Sequence, residues 1–244
     1  MPEHQLWFAH ILNAIFAGPV DGLFHVLGVP VANTAAPINN TFALEVLTAL
    51  ILGIFATWVG RRLSVENPTA SQHAVELSWN AMGEHGEEVI GHGGKRFLPY
   101  LFTLFFFILV ANLMGLVPSL ESPTADIEVT LGLAIATFVY YHGVGLKKLG
   151  IGKYAKTFVG PMIFLAPLMI PLEIISHFAR ILSLSVRLFA NMFAGEMITT
   201  IFLALLPVAG IVFMGLHVFI ALLQAYIFMV LTMVYLSGAT AEEH

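Results

Sequence analysis

The sequence predicts an all-α membrane protein with about five transmembrane helices, forming a single integral membrane domain over residues 1–244. Composition is the first reason: 58% of the residues are hydrophobic and only 10% are charged, against roughly 25% charged residues in an ordinary soluble domain. The second reason is a series of apolar runs of roughly 20 residues, the length that a helix needs to cross a ~30 Å hydrocarbon core. Cysteine is absent, so helix packing in lipid, and not disulfide bonding, must hold the chain together.

The N-terminal part, residues 1–40, is expected to be an outer, interfacial segment. It lacks the positively charged start of a secretory signal, so we expect it to be retained. Its apolar stretch is interrupted by His10, Asn13 and Pro19. These residues make 4–27 too polar for a clear span and favour a helix at the membrane surface.

Three predicted spans follow, and the charges at their ends set their direction. The spans cover residues 41–63, 97–117 and 127–146. One end of each carries a basic pair: Arg61 and Arg62, Lys95 and Arg96, and Lys147 and Lys148. The loop at 119–126 contains acidic residues and no basic ones. By the positive-inside rule, the basic ends face the cytoplasm and the N-terminus lies outside, which leaves the C-terminus of a five-span chain in the cytoplasm.

The segment at 64–94 is polar and is predicted to be a cytoplasmic or interfacial connector. A solvated amphipathic connector accounts for its many Glu and His residues, and contact with a partner is an alternative. A metal site formed by His85, Glu88 and His92 is a weaker one, because a Gly-rich stretch does not hold three ligands on one helical face. We therefore expect neither a metal nor a cofactor.

The C-terminal region is predicted to form a long helical hairpin with arms at 157–205 and 208–237. At 1.5 Å per residue the region is several bilayers long, so it must turn back, and Pro207 marks the natural break. An arm of roughly 50 Å fits a ~30 Å core only with a tilt far beyond the usual ~20°. The two arms are therefore expected to be strongly tilted.

The first arm carries a row of polar residues on one face. Their spacing of three or four residues places them together: Glu173, Ser176, Arg180, Ser183, Arg187 and Asn191. A charge at mid-bilayer costs at least ~2.5–3.5 kcal/mol on insertion scales, so these charges indicate a functional site. Ion pairing inside the bundle explains Arg180 equally well. Arg187 has no acidic residue three or four positions away, so its partner must come from another helix or another chain.

The second arm adds two polar residues to an apolar run. His217 and Gln224 are seven residues apart and share nearly one face. Because they would face an arm that bears Arg187 and Glu196, we interpret them as a proton relay, with a simple hydrogen-bonding role as the alternative. For His177, beside the polar row, relay and hydrogen bonding both stay open.

Two stretches of the hairpin resemble subunit a of the F-type ATP synthase. The run Ser-Leu-Ser-Val-Arg-Leu-Phe-Ala-Asn-Met-Phe-Ala-Gly-Glu at 183–196 resembles the arginine-bearing helix of that family. The stretch from His217 through Gln224 to Leu236 looks like its last helix, and 112–118 like the end of its second span. The likeness covers roughly residues 40–244. Ala190 departs from it where Gly is frequent, and Gly115 where some members carry an acidic residue.

The resemblance implies roles for eight residues. Arg187 would face a ring of c subunits, whose mid-membrane carboxylates carry the ion between two offset half-channels. The outer half-channel would be lined by Glu196, His217 and Asn191, and the cytoplasmic one by Glu173, Ser176 and Ser183, with Gln224 close to Arg187.

The resemblance also implies partners and a location. The partners are the c-subunit ring, the b subunits of the peripheral stalk and the rest of the synthase, in a bacterial inner membrane and surrounded by lipid, with the proton as the expected ion. The subunit would carry out no nucleotide chemistry of its own. Scattered basic residues argue against nucleic-acid binding. A secondary transporter with a charged midplane site is the alternative, although no internal repeat supports it, and no His-Glu-x-x-His or Gly-x-Ser-x-Gly motif supports an intramembrane enzyme.

Overall fold

The computed structural model describes residues 6–27, 36–117, 120–159 and 166–240. All regular elements in these ranges are helical: α1 (Trp7–Leu27), α2 (Asn40–Gly60), α3 (Ala70–Ile90), α4 (Leu98–Met114), α5 (Ile127–Val159), α6 (Ala166–Leu205) and α7 (Pro207–Thr240), with 3-10 turns at Gly94–Phe97 and Pro123–Ala125. Among the described helices, α2, α4 with its preceding turn, α5, α6 and α7 are long and apolar enough to cross a membrane. The predicted all-α membrane fold with five such helices is confirmed.

Helix α1 is tied to the start of α2 by polar contacts. The amide of Asn13 donates to the carbonyl of Ile38 at 2.9 Å and accepts from its N–H at 3.0 Å. The N–H of Leu6 donates to the side chain of Asn40 at 3.0 Å. Asn39 caps α2, because its side chain accepts the N–H of Phe42 at 2.8 Å. Asn13, which interrupts the apolar stretch in the sequence, thus joins α1 to the segment before α2.

Helix α3 packs across the beginning of α4 and the middle of α7. The rings of Trp79 and Phe102 lie 5.2 Å apart. His85 approaches Glu88 at 3.3 Å through Nδ1 and the hydroxyl of Tyr226 at 3.2 Å through Nε2. His85 therefore links the polar connector to the hairpin.

Helices α4 to α7 enclose the main apolar core. Fully buried side chains from three of them meet there: Leu101, Ile108, Leu188, Met192, Met229, Met233 and Leu236. Hydroxyl pairs add polar ties between the helices, with Thr130 of α5 3.1 Å from Ser185 of α6. Inside a membrane such pairs satisfy polar groups that lipid cannot.

Helix α5 runs well past the predicted span at 127–146 and bends at Gly150. The φ of Gly150 is +74°, a conformation that glycine adopts without the steric cost of a Cβ. The chain beyond the bend remains helical to Val159. Consequently α6 begins at Ala166, whereas the sequence placed the first arm of the hairpin from residue 157.

Helices α6 and α7 form an antiparallel hairpin joined through Leu206 alone. Near the turn the rings of Phe202 and Phe213 lie 4.3 Å apart, and far from it the guanidinium of Arg180 lies 5.4 Å from the ring centre of Tyr235. The pairing thus holds along most of both helices. The 40 residues of α6 extend about 60 Å, so in a ~30 Å core the helix must lie strongly inclined.

Candidate functional site

Arg187 lies on the outward face of α6. Its side chain is exposed, and its one described hydrogen bond runs from Nη2 to the hydroxyl of Ser183 at 3.4 Å. The opposite face of the helix is buried through Leu184, Leu188 and Met192. Within the part of the chain that the structure describes, no carboxylate lies within 4.0 Å of this guanidinium.

Small side chains lie along α6 before and after Arg187, although the adjacent Val186 is also exposed. Ala179, Ser183, Ala190 and Ala194 are all exposed, and their spacing places them on the same face as Arg187. Small residues let a second helix approach the backbone closely. The exposed face of α6 therefore combines a cation with a shallow surface.

The beginning of the polar row is covered by neighbouring helices. Arg180 is half-buried and lies over the ring of Tyr235. Glu173 pairs with His177, with Oε1 3.4 Å from Nδ1, and not with Arg180 as the ion-pair alternative required. Ser176 is half-buried beside them. The row that the spacing placed on one face is therefore covered at Glu173, Ser176 and Arg180 and exposed at Ser183 and Arg187.

Glu196 borders a cavity on the side of the hairpin nearer its turn, away from the open end, where Lys148 of α5 donates to the carbonyl of Thr240. The cavity has a volume of about 890 Å³, and Thr41, Asp126 and Met214 also line it. The carboxylate of Glu196 accepts the N–H of Ser122 at 3.3 Å. A Cβ at Gly115 would lie 3.3 Å from Oε1 of Glu196. Gly115 therefore lies beside the carboxylate of Glu196.

A buried hydrogen-bond network holds the loop that contacts Glu196. The hydroxyl of Thr124 donates to Oδ1 of Asn112, whose amide donates to the carbonyl of Ala221 on α7 at 3.2 Å. The hydroxyl of Ser122 lies 2.7 Å from that of Thr124 and 3.1 Å from the carbonyl of Ala111. Asn112 and Thr124 are completely buried. The network therefore connects α4, the loop and α7 behind Glu196.

His217 is buried against α6 beside Glu196. Only 1% of its surface is exposed, and neither ring nitrogen has a hydrogen-bond partner among the described residues. A Cβ at Gly195 would lie 2.9 Å from Nδ1 of His217, so a glycine is needed for the ring to fit. Buried polar groups are nearly always hydrogen-bonded, so two such nitrogens on one ring make His217 a candidate for a functional role.

The other predicted residues lie between these landmarks. Arg180 of α6 lies against Tyr235 of α7, and Gly195 lies against His217. Between these two contacts, α6 carries Arg187 and Asn191, and α7 carries Gln224. Gln224 is buried and Asn191 is half-buried. No described hydrogen bond joins Gln224 to Arg187.

Sequence reasoning missed Ser122 and Thr124 as parts of the site. Both belong to the short loop that was used only to set orientation. The available signal was Asn112, a polar residue in an apolar span, since a buried amide needs partners. The sequence alone does not say which loop supplies them.

Fold and site together define a class: a multi-pass α-helical membrane protein with charged and polar residues in its spans. A family model described as ATP synthase A chain matches residues 41–237. The chain is 47% identical to ATP synthase subunit a of Koribacter versatilis over 242 residues, which cover 99% of each chain. It is 47% identical to that of Solibacter usitatus over 235 residues, 96% of this chain and 100% of the relative. It is 41% identical to ATP synthase subunit a 1 of Syntrophotalea carbinolica over 199 residues, 81% of this chain and 84% of the relative. The chain belongs to the ATP synthase A chain family.

Proposed function

We propose that this chain is the ion-translocating stator subunit of a rotary F-type ATP synthase, with Arg187 as the residue that exchanges charge with the rotor. The observation that carries the proposal is the exposure of Arg187 in an apolar helix without an acidic partner among the described residues. An unpaired charge facing lipid is costly. A second chain that brings a carboxylate to this face would remove that cost.

The proposed rotor partner is the ring of c subunits. The small side chains around Arg187, such as Ser183, Ala190 and Ala194, give the helices of a ring a close and smooth approach. A ring that turns must slide past this face without interlocking with it. A shallow surface around a single cation meets both requirements.

The ring carboxylate changes its protonation state as it passes Arg187. It can face lipid only when neutral, because an ion there is expensive. Near Arg187 the positive charge favours its ionised form, so the proton leaves into one half-channel. Once past Arg187 the carboxylate takes up a proton from the other half-channel, and the ring has advanced by one step.

Two half-channels on opposite sides of Arg187 would supply these protons. For the outer one we propose Glu196, His217 and Asn191, supported by the cavity beside Glu196 and the buried imidazole of His217. For the cytoplasmic one we propose Glu173, Ser176 and Ser183. Gln224, at the level of Arg187 on α7, would hydrogen-bond the guanidinium in one of its positions.

Arginine suits this role because its charge is permanent. A lysine in a low-dielectric site can lose its proton, whereas a guanidinium keeps it at any working pH. A fixed cation also prevents protons from crossing directly between the half-channels. The membrane potential contributes about 2.3 kcal/mol per charge per 100 mV, so several protons must pass for each ATP made elsewhere in the complex.

The remaining features of the proposal concern the surroundings. We place the chain in a bacterial plasma membrane with the N-terminus outside and the C-terminus in the cytoplasm, on the evidence of its basic residues. The b subunits of the peripheral stalk would hold it still while the ring turns. Nucleotide chemistry belongs to other subunits.

The test is Arg187→Ala in the whole complex, assayed as ATP-driven proton pumping in inverted vesicles. We expect pumping to be abolished while the variant still assembles with an oligomeric ring and a nucleotide-hydrolysing head. Leu182→Ala is the matched control, because Leu182 is also exposed on α6 but faces away from Arg187. Normal pumping by Arg187→Ala, or purification of a transport-active chain without a ring, would overturn the proposal and favour a secondary transporter.

A further inference from the structure

A cluster of ionisable side chains lies between α5 and α6 at the open end of the hairpin, where Lys148 of α5 donates to the carbonyl of Thr240 on α7. The mechanism above does not use this cluster. Its centre is a pair of stacked imidazoles, His142 of α5 and His177 of α6. Their ring centres are 4.8 Å apart and their planes differ by 27°. Nε2 of His142 is shielded from solvent. Both imidazoles are half-buried, so a proton reaches this shielded nitrogen through neighbouring side chains or ordered water.

Each imidazole is hydrogen-bonded on its far side. Nδ1 of His142 bonds to the hydroxyl of Tyr154. Tyr154 follows the bend at Gly150, and this bend brings its side chain back against the earlier part of α5. The close approach is possible because Gly145 has no Cβ; one there would lie 2.5 Å from the Tyr154 ring. Burial raises the pKa of Tyr154, so the phenol is protonated and donates this bond.

The other end of the cluster reaches the proposed cytoplasmic half-channel. Nδ1 of His177 donates to the backbone carbonyl of Glu173 at 2.7 Å and lies 3.4 Å from its carboxylate. Glu173 is the first member of the polar row that leads to Arg187. Tyr154, His142, His177 and Glu173 thus lie one after another from the end of α5 to that row, with the two imidazoles joined by stacking and the outer contacts by hydrogen bonds.

The surroundings allow the pair to hold a single extra proton. Two imidazolium rings in contact would repel each other, and Arg180 on the same face of α6 adds a third cation. The other ionisable groups that the structure describes around the pair are the phenols of Tyr141, against His142, and Tyr235, against Tyr141 and Arg180. Among the described residues, Glu173 is the acid in contact with the pair, through His177.

We propose that His142 and His177 form a one-proton relay between the cytoplasm and Glu173, an inference that rests on the proposed function. Going inward, Tyr154 gives its proton to Nδ1 of His142 and regains one from water. His142 releases its Nε2 proton toward Nε2 of His177, across a distance that one water molecule or a ring rotation bridges. His177 then gives its Nδ1 proton to the Glu173 carboxylate. One proton enters and one leaves, and each ring is left in its other neutral tautomer. Proton exchange with water, or rotation of the rings, must restore the starting tautomers before the next proton passes. The same steps run backwards during ATP synthesis.

The test uses His177→Gln and His142→Gln, because glutamine keeps hydrogen bonding and cannot carry a proton. His73→Gln is the matched control, since His73 is exposed on α3. Passive proton flux is measured in vesicles stripped of the nucleotide-hydrolysing head. We expect each cluster variant to lose about tenfold in flux near pH 8.5. This is less than the roughly 100-fold or more of a full general acid–base effect, because water still carries part of the proton flow. The loss should be much smaller near pH 6, where protons are abundant. Added imidazole should restore the flux of the cluster variants.

Two further results keep the relay distinct from folding and from the proposed function. Tyr154→Phe removes one hydroxyl and should reproduce the loss at high pH, even if a histidine variant fails to assemble. Wild-type pH profiles in Tyr154→Phe and in the assembled histidine variants would overturn the relay. With Arg187→Ala inactive, that outcome leaves the proposed function standing; normal pumping by Arg187→Ala would remove the proposed function itself.

Discussion

Arg180 and Arg187 are two turns apart on one helix, and their surroundings differ. Arg180 is half-buried over the ring of Tyr235, beside a cluster supplied by α5. Arg187 is exposed and bonds only to Ser183 among the described residues. The first arginine is surrounded by its own chain. The second is open on its outward side, and its neighbours on that face are small.

The difference arises from what packs beside α6, since both residues belong to the same polar row. The stacked His142 shows that α5 covers the beginning of the row, and Tyr235 of α7 covers Arg180. Neither helix reaches the outward side at Arg187. The role of a charged residue in a spanning helix is therefore better inferred from the side chains that pack around it than from its position in the sequence.

The comparison is tested most severely by replacing each arginine with lysine. Arg187→Lys should abolish ATP-driven pumping in inverted vesicles, because an ammonium in a low-dielectric site can lose its proton and cannot hold a carboxylate with two parallel bonds. ATP hydrolysis by the head should persist. Normal coupling in Arg187→Lys would show that permanent charge is not what the exposed site requires.

The next largest effect is expected from a bulky residue on the exposed face. Ala190→Phe places a ring where the proposed rotor helix approaches, so pumping should fall by about tenfold or more, equivalent to the 1–3 kcal/mol typical of overpacking. Ala136→Phe is the matched control, since Ala136 is exposed on α5. Equal pumping by the two variants would mean that the face around Arg187 meets lipid only.

Much of the fold could be predicted from the sequence, because the length of an apolar run and the spacing of polar residues along a helix are local properties of the sequence. The five apolar helices were predicted from runs of about 20 residues, and the isolation of Arg187 from acids on its own helix follows from spacing alone. The extension of α5 to Val159 was missed because Lys147 and Lys148 suggested an end, whereas those side chains can extend to the interface while the helix continues.

The parts that could not be read depend on contacts between distant segments. Asn112 is bound by Thr124 from the following loop and by Ala221 from α7, 109 residues away. His142 was not singled out, because its significance comes from stacking on His177. Periodicity assigns a residue to a face, but only packing decides which neighbour covers that face.

A substitution in the buried network around Asn112 should lower stability more than pumping, in contrast to substitutions at the exposed Arg187. Thr124→Val removes the hydroxyl that satisfies Asn112, so we expect a stability loss of about 1–3 kcal/mol for the unpaired amide oxygen. The measurement is the temperature at which the solubilised complex loses this subunit, with Thr103→Val, on the exposed surface of α4, as control. Pumping at low temperature should fall only a few-fold. A complete loss of pumping without a loss of stability would place Thr124 in proton transfer instead.

The smallest effect is expected at the covered arginine itself. Arg180→Lys keeps the charge and loses the flat contact of the guanidinium with Tyr235, a contribution of about 0.5–1 kcal/mol at a partly exposed site. We expect pumping in inverted vesicles within about twofold of wild type, together with a small drop in the thermal stability of the complex. Because Arg180 and Arg187 are the same residue type on the same helix, this variant controls for the general effect of placing a lysine in α6. If Arg180→Lys stopped pumping as completely as Arg187→Lys, the difference in burial between the two arginines would not explain their roles. Both would then have to be assigned to the path of the proton.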